Sequence, residues 1–300
     1  MTLLAEAFPF VKRIRIPLSR DQVMLLVAAF NEIMLGVDTY LAHSISGTIR
    51  SGEWIPILFG PLAGVFLLIA GLIALRRREL ANLVASAVFV ASMAVGILGS
   101  YYHLHRAILS GAPAGQQVTA LVLLYGPPLL GPLTFILVGF LGISAAWEED
   151  PVDSGTLRLL GKGRIQMPLP KTRAYFLMVA LFILATLISS VLDHARTNFV
   201  NPWLWLPTAV GAFAVFVTLA MGAYSHLERS DLYTFVATMG LLVAVGLVGS
   251  VLHIERNLTG QGALLVERFI RGAPLMAPLL YANMGLLGMI ILLDPQGGKR

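Results

Sequence analysis

Apolar residues run along the chain in eight stretches separated by short polar intervals. A helix needs about 20 mostly apolar residues to cross bilayer hydrocarbon. The stretches predict transmembrane helices over 22–43, 55–75, 80–102, 117–146, 174–194, 205–225, 231–252 and 265–293, the third and seventh continuing past the interface. The longest interval, 147–173, is polar and holds Glu148, Glu149, Asp150, Asp153, Lys162, Arg164 and Lys171. The expected fold is an all-α integral membrane protein with eight transmembrane helices. Its layout is a cytoplasmic N-terminal segment (1–20), a first four-helix repeat (21–146), a cytoplasmic linker (147–173), a second four-helix repeat (174–294) and a cytoplasmic tail (295–300).

Composition strengthens this picture. Hydrophobic residues make up 57% of the chain and charged residues only 12%, about half the share in a soluble domain. The absence of cysteine excludes disulfides, cysteine-ligated zinc and iron–sulfur clusters. The net charge of +5 lies between apolar spans and forms no basic face, so nucleic acid is excluded as a partner. The lipid bilayer is the expected partner, and other membrane subunits are candidates. The start is not a secretory signal: Lys12, Arg13 and Arg15 follow a short mixed segment, and no cleavage site follows an apolar core. With the N-terminus cytoplasmic, 15 of the 21 Lys and Arg residues fall on the inner side. That bias places both termini in the cytoplasm.

The chain also matches itself. VGILGSYYHLHR (95–106) and VGLVGSVLHIER (245–256) share Val, both Gly, Ser, the first His and Arg at an offset of 150. LAHSISGTIRSGEWIP (41–56) aligns with LDHARTNFVNPWLWLP (192–207), pairing His43 with His194, Trp54 with Trp205 and Pro56 with Pro207. GPPLLGP (126–132) aligns with GAPLMAP (272–278) at an offset of 146. Four spans per unit is an even number, so both units enter from the same side. They are expected to be related by a pseudo-two-fold axis along the membrane normal. The recurring prolines Pro128–Pro132 and Pro274–Pro278 predict kinks that free backbone carbonyls near the outer end.

The candidate chemistry collects at that outer end. His43, His103, His194 and His253 occupy equivalent places in the two repeats, and imidazole suits zinc, copper, iron and nickel. These four are the expected ligands of an extracytoplasmic transition-metal site, gathered at one centre or held as two separate pairs. Asp193, Glu255 and His105, at places where the repeats diverge, complete or tune the shell. The pattern does not distinguish copper, iron and zinc, and no spacing equals a standard zinc signature. Haem b is a particular form of this reading. Gly96 and Gly99 precede His103 on one helical face, Gly246 and Gly249 precede His253, and a side-chain-free groove admits a macrocycle. The same small residues also serve close helix packing in membranes.

Glu32 and Asp38 fall inside the first span, where an ionisable residue costs about 2.5–3.5 kcal/mol on insertion scales. They are candidates for a proton or ion path. Arg106, Arg256, Arg268 and Arg271 are candidate contacts for an anion or a partner. Three functions therefore stand at the sequence level. One is a membrane metalloprotein acting as a redox enzyme or as a subunit of a redox complex. Another is a transporter or channel for a metal ion, proton or small anion. The third is a non-catalytic scaffold subunit.

Overall fold

The computed structural model describes residues 3–9, 17–44, 47–109, 124–128, 130–159, 163–259 and 266–296. The expectations that rest on Lys12, Arg13, Arg15, Lys162, Lys299 and Arg300, and on the start of the fourth span at 117–123, lie outside those residues.

The apolar stretches form helices α1 (Leu3–Ala7), α2 (Arg20–Ser44), α3 (Trp54–Ala74), α4 (Arg78–Leu109) and α5 (Leu130–Ala146), then α6 (Lys171–Ala195), α7 (Trp205–Ala223), α8 (Arg229–Leu258), α9 (Val266–Arg271) and α10 (Met276–Ile291). Local chemistry sets several starts. Asn201 Oδ1 accepts from Trp203 N at 3.1 Å in the turn leading into α7. Asp231 Oδ2 accepts from Glu228 N at 2.9 Å at the start of α8, half of a capping box.

Six helical segments among the described residues are long and apolar enough to cross a membrane, by length and composition: Arg20–Ser44, Ser51–Ala74, Arg78–Arg106, Lys171–Ala195, Pro202–Ala223 and Arg229–Leu258. The remaining two expected spans differ from the sequence reading. Within the described part of 117–146 the helix is broken at 126–128, and α5 with its 17 residues begins after the break. In place of 265–293 stand α9 and the 16-residue α10, separated around Gly272–Leu275. Proline explains the difference. It has no N–H to donate and its ring clashes with the preceding turn, so the expected kinks are breaks. At 1.5 Å per residue α5 and α10 are each about 25 Å long, short of the roughly 30 Å of hydrocarbon.

The helices pack as two rings of four. In the first, α2 packs on α3, α3 on α4, α4 on α5 and α5 back on α2. In the second, α6 packs on α7, α7 on α8, α8 on α10 and α10 back on α6. The rings touch through α2 against α10 and through α5 against α6. Large apolar side chains such as Phe66, Leu72, Leu75, Phe216 and Val251 are exposed on the outside, as contact with lipid requires. Trp54, Trp203 and Trp205 are exposed at helix starts, where amphipathic rings sit at a membrane interface.

The same close contacts occur within each ring. A Cβ on Gly99 would lie 2.9 Å from Pro132 Cβ, and one on Gly249 would lie 2.9 Å from Pro278 Cβ. One on Gly139 would lie 2.8 Å from Phe89 O, and one on Gly285 would lie 2.6 Å from Met239 O. Between α2 and α3 a Cβ on Gly60 would meet the backbone of both Glu32 and Gly36. Backbone cannot yield, so Gly60→Ala is expected to lose about 1–3 kcal/mol of unfolding free energy. Gly71, which has nothing within 4 Å, should tolerate alanine or gain slightly from helix propensity. Unfolding in detergent measures both variants.

The interval 147–173 is folded. Strands β1 (Thr156–Arg158) and β2 (Arg164–Gln166) pair antiparallel, with Leu157 opposite Ile165, a short departure from the all-helical expectation. Glu149 holds this segment down. Its carboxylate accepts from Asp153 N at 3.0 Å, Gly155 N at 2.7 Å and Lys171 N at 3.0 Å. Beside it Lys171, 3% exposed, donates to Trp147 O at 2.7 Å and pairs with Asp21. Arg20, 1% exposed, contacts Asp21 at 3.3 Å and donates to Thr172 Oγ1 at 2.6 Å. This buried network ties the start of α2 to the start of α6.

Candidate functional site

At the end of the bundle away from that network, α2 and α4 bring His43 and His103 together, with ring centroids 6.0 Å apart and planes at 65°. The positions of the histidines follow from the broken helices. In a continuous helix the carbonyl of Pro128 would accept from the N–H of residue 132, and that of Pro274 from residue 278. Both partners are prolines with no N–H. His103 Nδ1 lies 2.9 Å from Pro128 O, and His253 Nδ1 lies 2.9 Å from Pro274 O. His43 Nδ1 lies 2.8 Å from Thr39 O.

A carbonyl oxygen only accepts, so in each of these three histidines Nδ1 carries the proton and donates it. In the neutral ring Nε2 then carries the lone pair, the form in which imidazole accepts a proton or ligates a metal ion. Donation of the other ring N–H to a backbone carbonyl is also the arrangement that orients metal-ligating histidines.

In the second ring His194 stands within electrostatic reach of His253 and Asp193. Its ring centroid is 6.0 Å from that of Phe199, which stacks on Trp205 at 4.3 Å. The four histidines thus fall into two pairs, one per ring. Among the described residues no three His, Asp or Glu side chains gather closely enough to hold an ion between them. A single shell assembled from seven ligands is therefore not what these residues form.

Two of the expected shell members stand apart. His105 follows His103 by two residues, about 200° around the helix. Its exposed ring lies 5.8 Å from Tyr101 instead. Glu255 holds the same relation to His253 and is exposed. The glycine faces offer no open groove for a macrocycle. A Cβ on Gly96 would lie 2.6 Å from Ile136 Cγ1, and one on Gly246 would lie 2.8 Å from Pro278 O. They serve helix packing.

Acidic neighbours of the pairs are Glu53 and Asp193. Glu53 lies within electrostatic reach of His103, faces Arg106 at 3.7 Å and accepts from Arg50 N at 2.8 Å. Asp193 pairs with Arg196 at 3.6 Å and stands within electrostatic reach of Asp38. Both Asp38 and Asp193 are exposed. Arg196 also donates to Leu124 O at 2.8 Å, joining the two rings at this end. The role of Arg196 had no signal in the sequence, since it is one arginine among several at helix ends. Arg256 is exposed and Arg268 half-buried, while the side chain of Arg271 lies outside the described residues.

Glu32 and Asn31 lie deeper. Glu32 is fully buried, with Ser92 Oγ 2.6 Å from its Oε1. Asn283 Nδ2 donates to Asn31 Oδ1 at 2.9 Å, across the contact between α2 and α10. Comparison with family models, with curated proteins and with solved structures finds no match for this chain.

Proposed function

We propose that the protein is a membrane metalloprotein with a redox role, built as two copies of a four-helix unit and holding transition-metal ions at the extracytoplasmic end through paired histidines. The observation that carries this is the tautomer of His43, His103 and His253. Three imidazoles hold Nδ1 against a backbone carbonyl, which makes Nε2 the unprotonated, ligating nitrogen of each neutral ring, and one pair of the rings lies 6.0 Å apart. The recurrence of the Gly–Pro and Gly–backbone contacts at matching offsets supports the duplicated frame of eight membrane segments. The Lys and Arg distribution supports the orientation.

Two imidazoles per site suit an ion of low coordination number, or one that keeps water or another added ligand. Among divalent ions bound by imidazole, copper binds most tightly, and it changes oxidation state readily. Glu53 beside the first pair and Asp193 beside the second would offset the charge of the ion. The test is the metal-to-protein ratio of purified protein after titration with copper, zinc or iron, together with its absorption spectrum. The proposal expects up to two equivalents of ion per chain and no haem bands. A protein that retains no stoichiometric ion from any of the three would overturn it.

A further inference from the structure

We propose that Glu32 is a proton-binding site inside the membrane, taking up and releasing a proton at its carboxyl while the surrounding helices stay packed. The argument begins with one hydroxyl. Ser92 Oγ lies 2.6 Å from Glu32 Oε1 and 3.0 Å from the carbonyl oxygen of Phe135. Ser92 has a single proton, the Phe135 carbonyl only accepts, and a carboxylate only accepts. One proton cannot serve two acceptors well. Both contacts are satisfied together when the carboxyl carries its own proton and donates it to Ser92 Oγ, leaving the serine proton for Phe135. With the proton gone, Ser92 must turn to the carboxylate, and the Phe135 contact is left without a donor.

The rest of the surroundings favours the same chemistry. Glu32 is 0% exposed, and its Oε2 has no hydrogen-bond partner among the described residues. Neither α3 nor α5, both packed on α2, carries an ionisable side chain; α10, which also packs on α2, carries Tyr281, and α9 carries Glu267, Arg268 and Arg271. On α4 the charged and titratable groups are Arg78 and Glu79 at one end, and Tyr101, Tyr102, His103, His105 and Arg106 at the other. On α2 itself they are Arg20 and Asp21 at the start, then Asp38, Tyr40 and His43 at the far end. The described residues give Glu32 no ion-pair partner. A buried carboxylate with an open oxygen and no cation is strongly disfavoured, whereas a neutral acid is not.

The fold itself does not require the carboxyl. At the matching places of the second ring stand Ile183 for Glu32 and Leu242 for Ser92, both 0% exposed. The same helical frame is there closed by ordinary apolar packing. Retaining an acid and its serine in only one ring points to a use for the proton.

The test is infrared difference spectroscopy on the full-length protein in lipid nanodiscs. The expected result is a carboxylic-acid C=O band that shifts in heavy water, is absent from Glu32→Gln, and moves in Ser92→Ala as its hydrogen bond is lost. The band should disappear reversibly as pH is raised. Labelling of wild type by dicyclohexylcarbodiimide, which needs a protonated carboxyl in apolar surroundings, should modify Glu32 and be absent in Glu32→Gln. A carboxylate band at every pH would overturn the proposal. So would a C=O band that neither exchanges nor titrates over the range in which the protein stays folded. Labelling does not require the Glu32→Gln variant to fold, and none of these readouts depends on bound metal.

Discussion

Asp21→Ala is expected to lose about 3–5 kcal/mol of unfolding free energy. Removing one partner of a buried ion pair leaves the other charge uncompensated. Here two cations are affected. Lys171 Nζ would lose its paired carboxylate and keep the hydrogen bond to Trp147 O at 2.7 Å, and Arg20 would lose its carboxylate at 3.3 Å. Tyr175 Oη, which donates to Asp21 Oδ1 at 3.0 Å, would lose its acceptor as well. Lys171→Met is expected to cost less, because Asp21 then keeps both Arg20 and Tyr175. Unfolding of the two variants in the same detergent checks the order. Equal stability of Asp21→Ala and wild type would show that the network is open to water.

His103→Ala is expected to have two separable effects. The carbonyl of Pro128, whose in-helix partner is the proline at 132, would lose its donor. That hydrogen bond is exposed, so its loss is expected to cost about 0.5–1.5 kcal/mol. The first histidine pair would also lose an Nε2 donor, and one equivalent of bound ion should disappear with it. His103→Asn, which can offer an amide N–H toward the carbonyl, should recover part of the stability without recovering the ion. His253→Ala is expected to do the same at Pro274 and the second pair. A variant that loses stability while keeping full metal content would assign these histidines to the helix break alone.

Much of the frame was legible because membrane helices write themselves as long apolar runs. The ends of α2, α3, α6 and α7 fall within a few residues of the expected spans. At 126–128 and 272–275, just before α5 and α10, the chain is not helical although each lies within an apolar run. An apolar run reports affinity for lipid, whereas a proline acts on the backbone hydrogen bonds beneath it. The strands at 156–158 and 164–166 are too short for an alternating pattern to register. The sequence placed all four histidines at one end of the bundle, but the pairing of His43 with His103 within one ring depends on how α2 packs beside α4 and had no signal in the repeat. The separation of His105 from that pair was already present in the helical period, because two residues turn a side chain to the opposite face. Ser92 had no signal at all. It meets Glu32 from 60 positions away, and only the packing of α4 on the first ring makes that serine informative.

The most direct test of the account is the X-ray absorption spectrum of the wild-type protein loaded with copper. The account predicts an edge from bound copper with two imidazole nitrogens per ion, reduced in parallel by His43→Ala and His194→Ala. A spectrum with oxygen ligands only, or one unchanged by either substitution, would contradict it.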